Sequence, residues 1–187
     1  MNEQDILNFG FELGQLRRIT HQGWNLIAIE NPETIAEHSL RAAQLAFILA
    51  KMENHPKPEE VVSIVVFHDI GECRIGDIHK VANRYLQTDE ERAVKEQTQK
   101  LETIGEDIFH YWKQMEDAQT PAGIIAKDAD RLEQALSAKE YLEKGYPYAQ
   151  DWIDNISKAV KTESAKKLLV ALLTSHSANW WQGLKKL

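Results

Sequence analysis

The sequence predicts an all-α fold, and three observations carry that expectation. Apolar residues recur at three- and four-residue spacings along most of the chain. Alternating strand patterns are almost absent. Proline and glycine fall mainly between the periodic segments, where they end helices. No repeat, low-complexity stretch or domain boundary interrupts the pattern, so one globular helical bundle is expected over 1–187.

Residues 3–17 read as a helix with Ile6, Phe9, Leu13 and Leu16 on one face, weakened by Gly10 and Gly14. Residues 18–32 read as a connecting loop. Pro32 opens a helix to about Glu53, with Glu33 in its first turn. His38, Ala42, Leu45, Leu49 and Met52 share its inward face. His55-Pro56-Lys57-Pro58 breaks the chain, and a helix is expected from Glu59 to about Gly71, followed by a turn around Gly76-Asp77. Residues 88–104 open with Thr88-Asp89-Glu90-Glu91, a capping-box pattern, and predict a solvent-exposed helix with few core contacts. A helix over 106–117 turns Ile108, Trp112 and Met115 inward. Thr120-Pro121 starts another, stopped after Lys144 by Gly145-Tyr146-Pro147. Two C-terminal helices, near 149–160 and 163–185, are expected to pack on a core of about 12–145.

The 187 residues, 43% of them hydrophobic, suffice for a sizeable core. A net charge of −7 argues against a general nucleic-acid binder. The single cysteine, Cys73, excludes an internal disulfide framework and suits a reducing compartment. The N-terminus lacks a signal-peptide pattern, and no apolar run approaches the roughly 18 residues of a membrane span. A cytoplasmic location is the expectation.

The informative local feature is His68-Asp69. Six of the eight residues before Asp69 are apolar, so an imidazole and a carboxylate end a segment that belongs in a core. Buried charges are normally paired or bound to a metal. Adjacent helical residues point about 100° apart, so these two need further ligands from elsewhere. His38 upstream and Asp130 downstream lie on helices with apolar faces. The set His38, His68, Asp69 and Asp130 suits a divalent first-row metal such as Mn, Co, Fe or Zn and leaves positions open for water and substrate. Asp128, two residues before Asp130, competes for the fourth place.

The segments Ala36-Glu37-His38-Ser39, Phe67-His68-Asp69-Ile70-Gly71-Glu72, Gly76-Asp77-Ile78 and Lys127-Asp128-Ala129-Asp130 resemble the HD-domain metal-dependent phosphohydrolases. They look most like the small single-domain members with 5′-deoxynucleotidase activity. The resemblance implies an all-α HD domain holding one divalent ion through His38, His68, Asp69 and Asp130. It also implies hydrolysis of a phosphate ester, and a homodimer. The family pattern K-x-x-D-x-x-E puts the fourth ligand at Asp130 and a following acid at Glu133. Asp128 would lie about 160° around a regular helix from that site.

The same resemblance places Glu72 as a catalytic acid/base or water-orienting group, and Asp77 at the sugar or assisting proton transfer. Basic groups must hold the remaining phosphate oxygens. The family pattern R-x-x-R-x-G-W reads here Arg18-Ile19-Thr20-His21-Gln22-Gly23-Trp24, so His21 replaces an arginine. Arg18, His21 and Lys80 are the expected phosphate contacts. Trp24 either stacks on a base or fills a groove between helices. Another arginine often found after the tryptophan is missing, and His79 stands where proline is common. Of Trp180 and Trp181, one is expected to pack inward and the other to cover a partner surface.

The expected activity is removal of phosphate from a (deoxy)nucleoside 5′-monophosphate. The alternatives are another phosphate ester, namely a nucleoside triphosphate, cyclic nucleotide or guanosine polyphosphate, and a non-catalytic, metal-containing nucleotide-binding module.

Overall fold

The computed structural model describes residues 1–184 and places nine α-helices and no strand among them. The all-α expectation is met. Helix α1 (Glu3–Leu13) starts in a reciprocal cap between Asn2 and Asp5. It is shorter than expected, because the chain tightens into a 3₁₀ turn at Gly14–Arg17. Leu16 is buried there, whereas Ile6 stays half-exposed.

The segment expected as plain loop is ordered by backbone bonds to the start of the next helix. His21 N donates to Glu33 O at 2.9 Å, and Ile35 N donates to Ile19 O at 2.9 Å. Gln22–Ile27 forms a second 3₁₀ turn. Helix α2 (Ile35–Met52) begins at Thr34 and not at Pro32, because Thr34 and Glu37 form the capping box. Its buried stripe is rich in alanine at 42, 43, 46 and 50, which lets α2 approach its neighbours closely. Met52, expected inside, is 43% exposed.

Helix α3 (Pro58–Val66) stops five residues before the expected end. In a continuing helix the Val65 carbonyl would accept from Asp69 N. Here it accepts from the His68 ring, Nδ1 donating at 2.7 Å. The His68 side chain thus caps the helix and releases Asp69 into a turn. Helix α4 (Glu72–Ile75) follows, and Gly76 leaves it at φ +75°, a conformation that favours glycine.

Helix α5 (Glu90–Thr98) corrects two expectations. Asp89, not Thr88, is its cap, and the helix is not merely a solvated face. Val94 is fully buried in a cluster with Ile70, Leu101, Ile108 and Trp112. Helix α6 (Glu102–Asp117) follows a sharp break. A Cβ on Gly105 would collide with the Thr98 carbonyl, so glycine permits that break. Ile108, Trp112 and Met115 face inward as expected.

Helix α7 (Pro121–Glu143) is the central member, packed against α2, α3, α6, α8 (Gln150–Ala159) and α9 (Glu163–Thr174). The main apolar core lies among α2, α3, α7 and α9. The last helix ends at Thr174 and does not run on towards 185. Glu143 accepts from both Ser177 N and Ser177 Oγ and draws the chain away. Position 185, the expected helix end, lies outside the described residues.

Candidate metal centre and its surroundings

Three elements deliver the expected ligands: α2 brings His38, the turn after α3 brings His68 and Asp69, and α7 brings Asp130. One donor atom from each of His38, His68 and Asp130 lies within 4.8 Å of the others. His38 Nε2 is 3.2 Å from Asp130 Oδ1 and 3.8 Å from Asp69 Oδ2. His68 Nε2 is 2.9 Å from Asp69 Oδ2. All four expected ligands therefore converge, although sequence distance separates them widely.

Each histidine is held from behind. His68 donates Nδ1–H to the Val65 carbonyl, and His38 donates Nδ1–H to Glu133 Oε2. Both rings thereby turn Nε2 towards the centre, the arrangement in which an imidazole ligates a metal. Glu133 is 1% exposed and is itself held by Arg41, whose Nε donates to Oε1 at 2.7 Å. Arg41 also bonds Glu140 Oε1 at 2.8 Å. The family resemblance implied Glu133 as an acid after the ligand, but nothing in the sequence signalled Arg41.

Asp128 is resolved as structural. It is fully buried, and its Oδ2 accepts from Lys161 N at 2.8 Å and Thr162 N at 2.6 Å. It fastens the α8–α9 connection to α7, facing away from the centre.

The electrostatics fit a cation. Burial alone would lower the His38 and His68 proton affinities. Asp130 and Glu133 outweigh this at His38, and Asp69 with Asp130 at His68, so both are raised. Burial would likewise raise Asp69 and Asp130, but the histidines hold both low. A divalent ion can displace such protons, since it needs neutral imidazoles and ionised carboxylates. Nearby, Glu72 is pushed up to about 10 by burial and then by the charges of Asp69, Asp77 and Glu90. Its Oε2 is buried without a hydrogen-bond partner among the described residues. An acidic cavity of this kind repels a phosphate unless positive charge is placed in it.

Glu72 and Asp77 both line a cavity of about 100 Å³, shared with Asn83, Thr88 and Glu90. Glu72 N bonds Asp69 O at 3.1 Å, so the two share a turn and not a continuous helix. Asp77 Oδ2 accepts from Gln22 N at 2.5 Å, tying that turn to the second 3₁₀ segment. Glu90, missed in the sequence, packs over Gly71; a Cβ on Gly71 would lie 2.6 Å from Glu90 Cγ. Burial, then Glu116 and Asp69, push the Glu90 carboxyl up to about 7.

The expected phosphate contacts divide. The His21 ring lies 4.8 Å from the His38 ring, and its Nδ1 is 3.3 Å from Glu33 Oε1. Glu33, read as a first-turn acid, is a hub. It also accepts from Trp24 Nε1 at 2.7 Å and from Tyr141 Oη at 2.6 Å. Trp24 corrects the base-stacking expectation. It is 1% exposed, lies against Trp152 and Tyr141, and presents no face to a ligand. Arg18 is exposed and bonds the Gly14 carbonyl of its own turn at 3.4 Å. Lys80 is also exposed. Neither forms an ion pair with the four ligands among the described residues.

Comparison with known proteins adds three findings. The model of the family described as HD domain matches residues 13–172. The 5′-deoxynucleotidase HDDC2 of Bos taurus is 28% identical over 182 residues, covering 94% of this chain and 88% of the relative. The 5′-deoxynucleotidase hdd1 of Schizosaccharomyces pombe is 31% identical over 142 residues, 71% of this chain and 70% of the relative. The crystal structure of genomics APC5600 superposes with a TM-score of 0.81 at 32% identity, over 95% of this chain and 99% of that one.

Proposed function

Because this chain belongs to the HD-domain family, we propose that it removes the phosphate from deoxynucleoside 5′-monophosphates in a divalent-metal-dependent hydrolysis. It is a phosphoric monoester hydrolase, read as one globular domain over the described residues, 1–184. The observation that carries the reading is the convergence of His38, His68 and Asp130 with Asp69, each imidazole steered by a bond to its Nδ1.

His38, His68, Asp69 and Asp130 hold the ion. A bound divalent ion supplies a Lewis acid for a phosphoryl oxygen and lowers the pKa of water beside it. The side chains of this protein do the rest. Glu72 retains a proton in a buried acidic setting and serves as the acid/base group of the reaction. Asp77, fixed by Gln22 N, faces the sugar. His21, held by Glu33 beside His38, takes a phosphate oxygen, while Arg18 and Lys80 contribute positive charge from the rim. Mn, Co, Fe and Zn all suit the donor set.

The same reading places the protein in the cytoplasm as a homodimer acting on a small nucleotide, with no nucleic-acid or membrane partner. Among the described residues no helix is long and apolar enough to cross a membrane.

The test is phosphate release from ribo- and deoxyribonucleoside 5′-monophosphates by metal-stripped protein resupplied with Mn, Co, Fe or Zn. Turnover that returns with metal, prefers deoxyribose and vanishes in Asp69→Asn is expected. Equal turnover in that variant overturns the proposal.

A further inference from the structure

Two hydrogen-bonded lines leave one face of α7 for the other side of the site. Glu133, Ser137 and Tyr141 recur at four-residue intervals, so they stand above one another on that face. The first line runs from Glu133 to His38 at the metal centre. The second starts about 12 Å further along the helix, at Tyr141. Tyr141 Oη donates to Glu33 Oε2 at 2.6 Å, and Glu33 Oε1 lies 3.3 Å from His21 Nδ1.

Backbone pairing brings Glu33 to this place. Thr20 and Thr34 form an isolated antiparallel bridge, and His21 N donates to the Glu33 carbonyl at 2.9 Å, so the two side chains start from neighbouring points. A glutamate rotamer does not fix its own carboxylate plane, because the last torsion is broad and roughly two-fold. Here the plane is fixed from outside. Tyr141 Oη holds Oε2, and Trp24 Nε1 holds Oε1 at 2.7 Å. Both donors sit on buried rings whose centroids are 5.0 Å apart. The fixed Oε1 meets the His21 ring, which has the Trp24 ring at 5.9 Å and the His38 ring at 4.8 Å. With Nδ1 turned to Glu33, Nε2 is the nitrogen left for a ligand.

We propose that Tyr141 and Glu33 are positioning residues for phosphate binding, acting only through His21 by aiming its Nε2 at a phosphoryl oxygen. The inference rests on the proposed role of His21 as a phosphate contact. An arginine, the residue that the family pattern puts at this position, offers several N–H donors in a rigid fork. An imidazole has one nitrogen for the ligand and one for its support, so its aim depends on what stands behind it. Helix α7 thereby serves both charges of the reaction. Asp130 faces the ion, and Tyr141 sets the group that meets the anion, about 16 Å further along the helix.

Calorimetric titration of inorganic phosphate into the Co-loaded full chain tests this without any turnover. Tyr141→Phe should weaken phosphate binding about tenfold, the scale of one hydrogen bond to a charged group. Co affinity, measured by chelator competition, should stay unchanged. His21→Ala should weaken phosphate binding at least as much. In the His21→Ala background Tyr141→Phe should cost nothing further, since the group it aims is gone. Glu33→Gln takes the place of Tyr141→Phe in the same cycle if the latter loses the wild-type circular dichroism. In hydrolysis the same loss should appear as a rise in KM larger than the fall in kcat. A wild type that binds no phosphate overturns the proposal, as does unchanged binding in Tyr141→Phe. A parallel loss of Co affinity overturns it too. So does a loss that persists undiminished without His21, which would mark a purely structural tie between Glu33 and α7. A wild type that binds phosphate through His21 but hydrolyses no nucleotide would overturn the nucleotidase function and leave this inference standing.

Discussion

Glu133 stands directly behind His38 and accepts its Nδ1 proton, while Arg41 clamps the same carboxylate from the other side. The pair links the candidate metal centre to a charged chain that ends at Glu140. Glu133 is therefore expected to set both the orientation and the basicity of His38.

Glu133→Gln should weaken metal binding by about 10- to 100-fold, the usual effect of losing a carboxylate behind a ligating histidine. Chelator competition with Co or Zn measures this directly. An unchanged dissociation constant would show that His38 needs no such support.

Asp128 and Asp130 should separate cleanly. Asp130→Asn should abolish the rise in melting temperature on adding metal, a rise worth about 2.7 kcal/mol at a hundredfold excess over Kd. Asp128→Asn should keep that rise but lower the metal-free stability by about 1–3 kcal/mol, because the Lys161 and Thr162 amides lose a charged acceptor. Thermal unfolding of both variants with and without metal makes the comparison. The reverse pattern would move the fourth ligand to Asp128.

Glu33 predicts an acid-labile contribution to stability. Burial opposes its charge, but bonds from His21 and Tyr141 prevail and lower its pKa from an ordinary 4.5 to about 2. A group whose pKa falls on folding stabilises the fold above its ordinary value and loses that contribution as the pH drops towards the folded value. Metal-free wild type should thus exceed Glu33→Gln in stability at neutral pH. The gap should close as pH falls from about 4.5 towards 2. Urea unfolding at a series of pH values reads it, and a gap independent of pH would refute the ionic account.

Gly71 and Glu90 should behave as one unit. Gly71→Ala places a Cβ 2.6 Å from Glu90 Cγ and 3.1 Å from Val94 Cγ2, and should cost about 1–3 kcal/mol as an overpacked contact. Adding Glu90→Ala removes the nearer clash and should recover most of that loss. A double-mutant cycle by chemical denaturation gives the coupling; additive losses would mean that α5 moves aside freely.

The helices and the cluster of candidate metal ligands were legible because both leave local marks. Leu49, Ile108 and Trp112 obey helical spacing, and His68-Asp69 is conspicuous in an apolar run. Glu33 and Arg41 were not legible. Their partners Tyr141 and Glu133 stand far along the chain, and only the docking of α2 on α7 joins them. The early end of α3 escaped for another reason: a side chain, His68, replaces a backbone donor, and propensity does not register that exchange. Trp24 reads equally well as a stacking surface or as filler, and Trp152 decides between them. Val94 buries α5 although the residues around it are polar, because the neighbouring cluster needs covering.

The candidate ligands span the chain from His38 on α2, through the turn after α3, to Asp130 on α7. An ion gripping all of them closes the long loops between these elements, as a cross-link does. Cys73 has no second cysteine with which to form a disulfide. A metal-loaded chain therefore gains the topological staple that its composition denies it. Loading should accordingly resist unfolding and proteolysis across α2, α3 and α7 together, so that removing the ion would loosen the whole bundle and not one pocket alone.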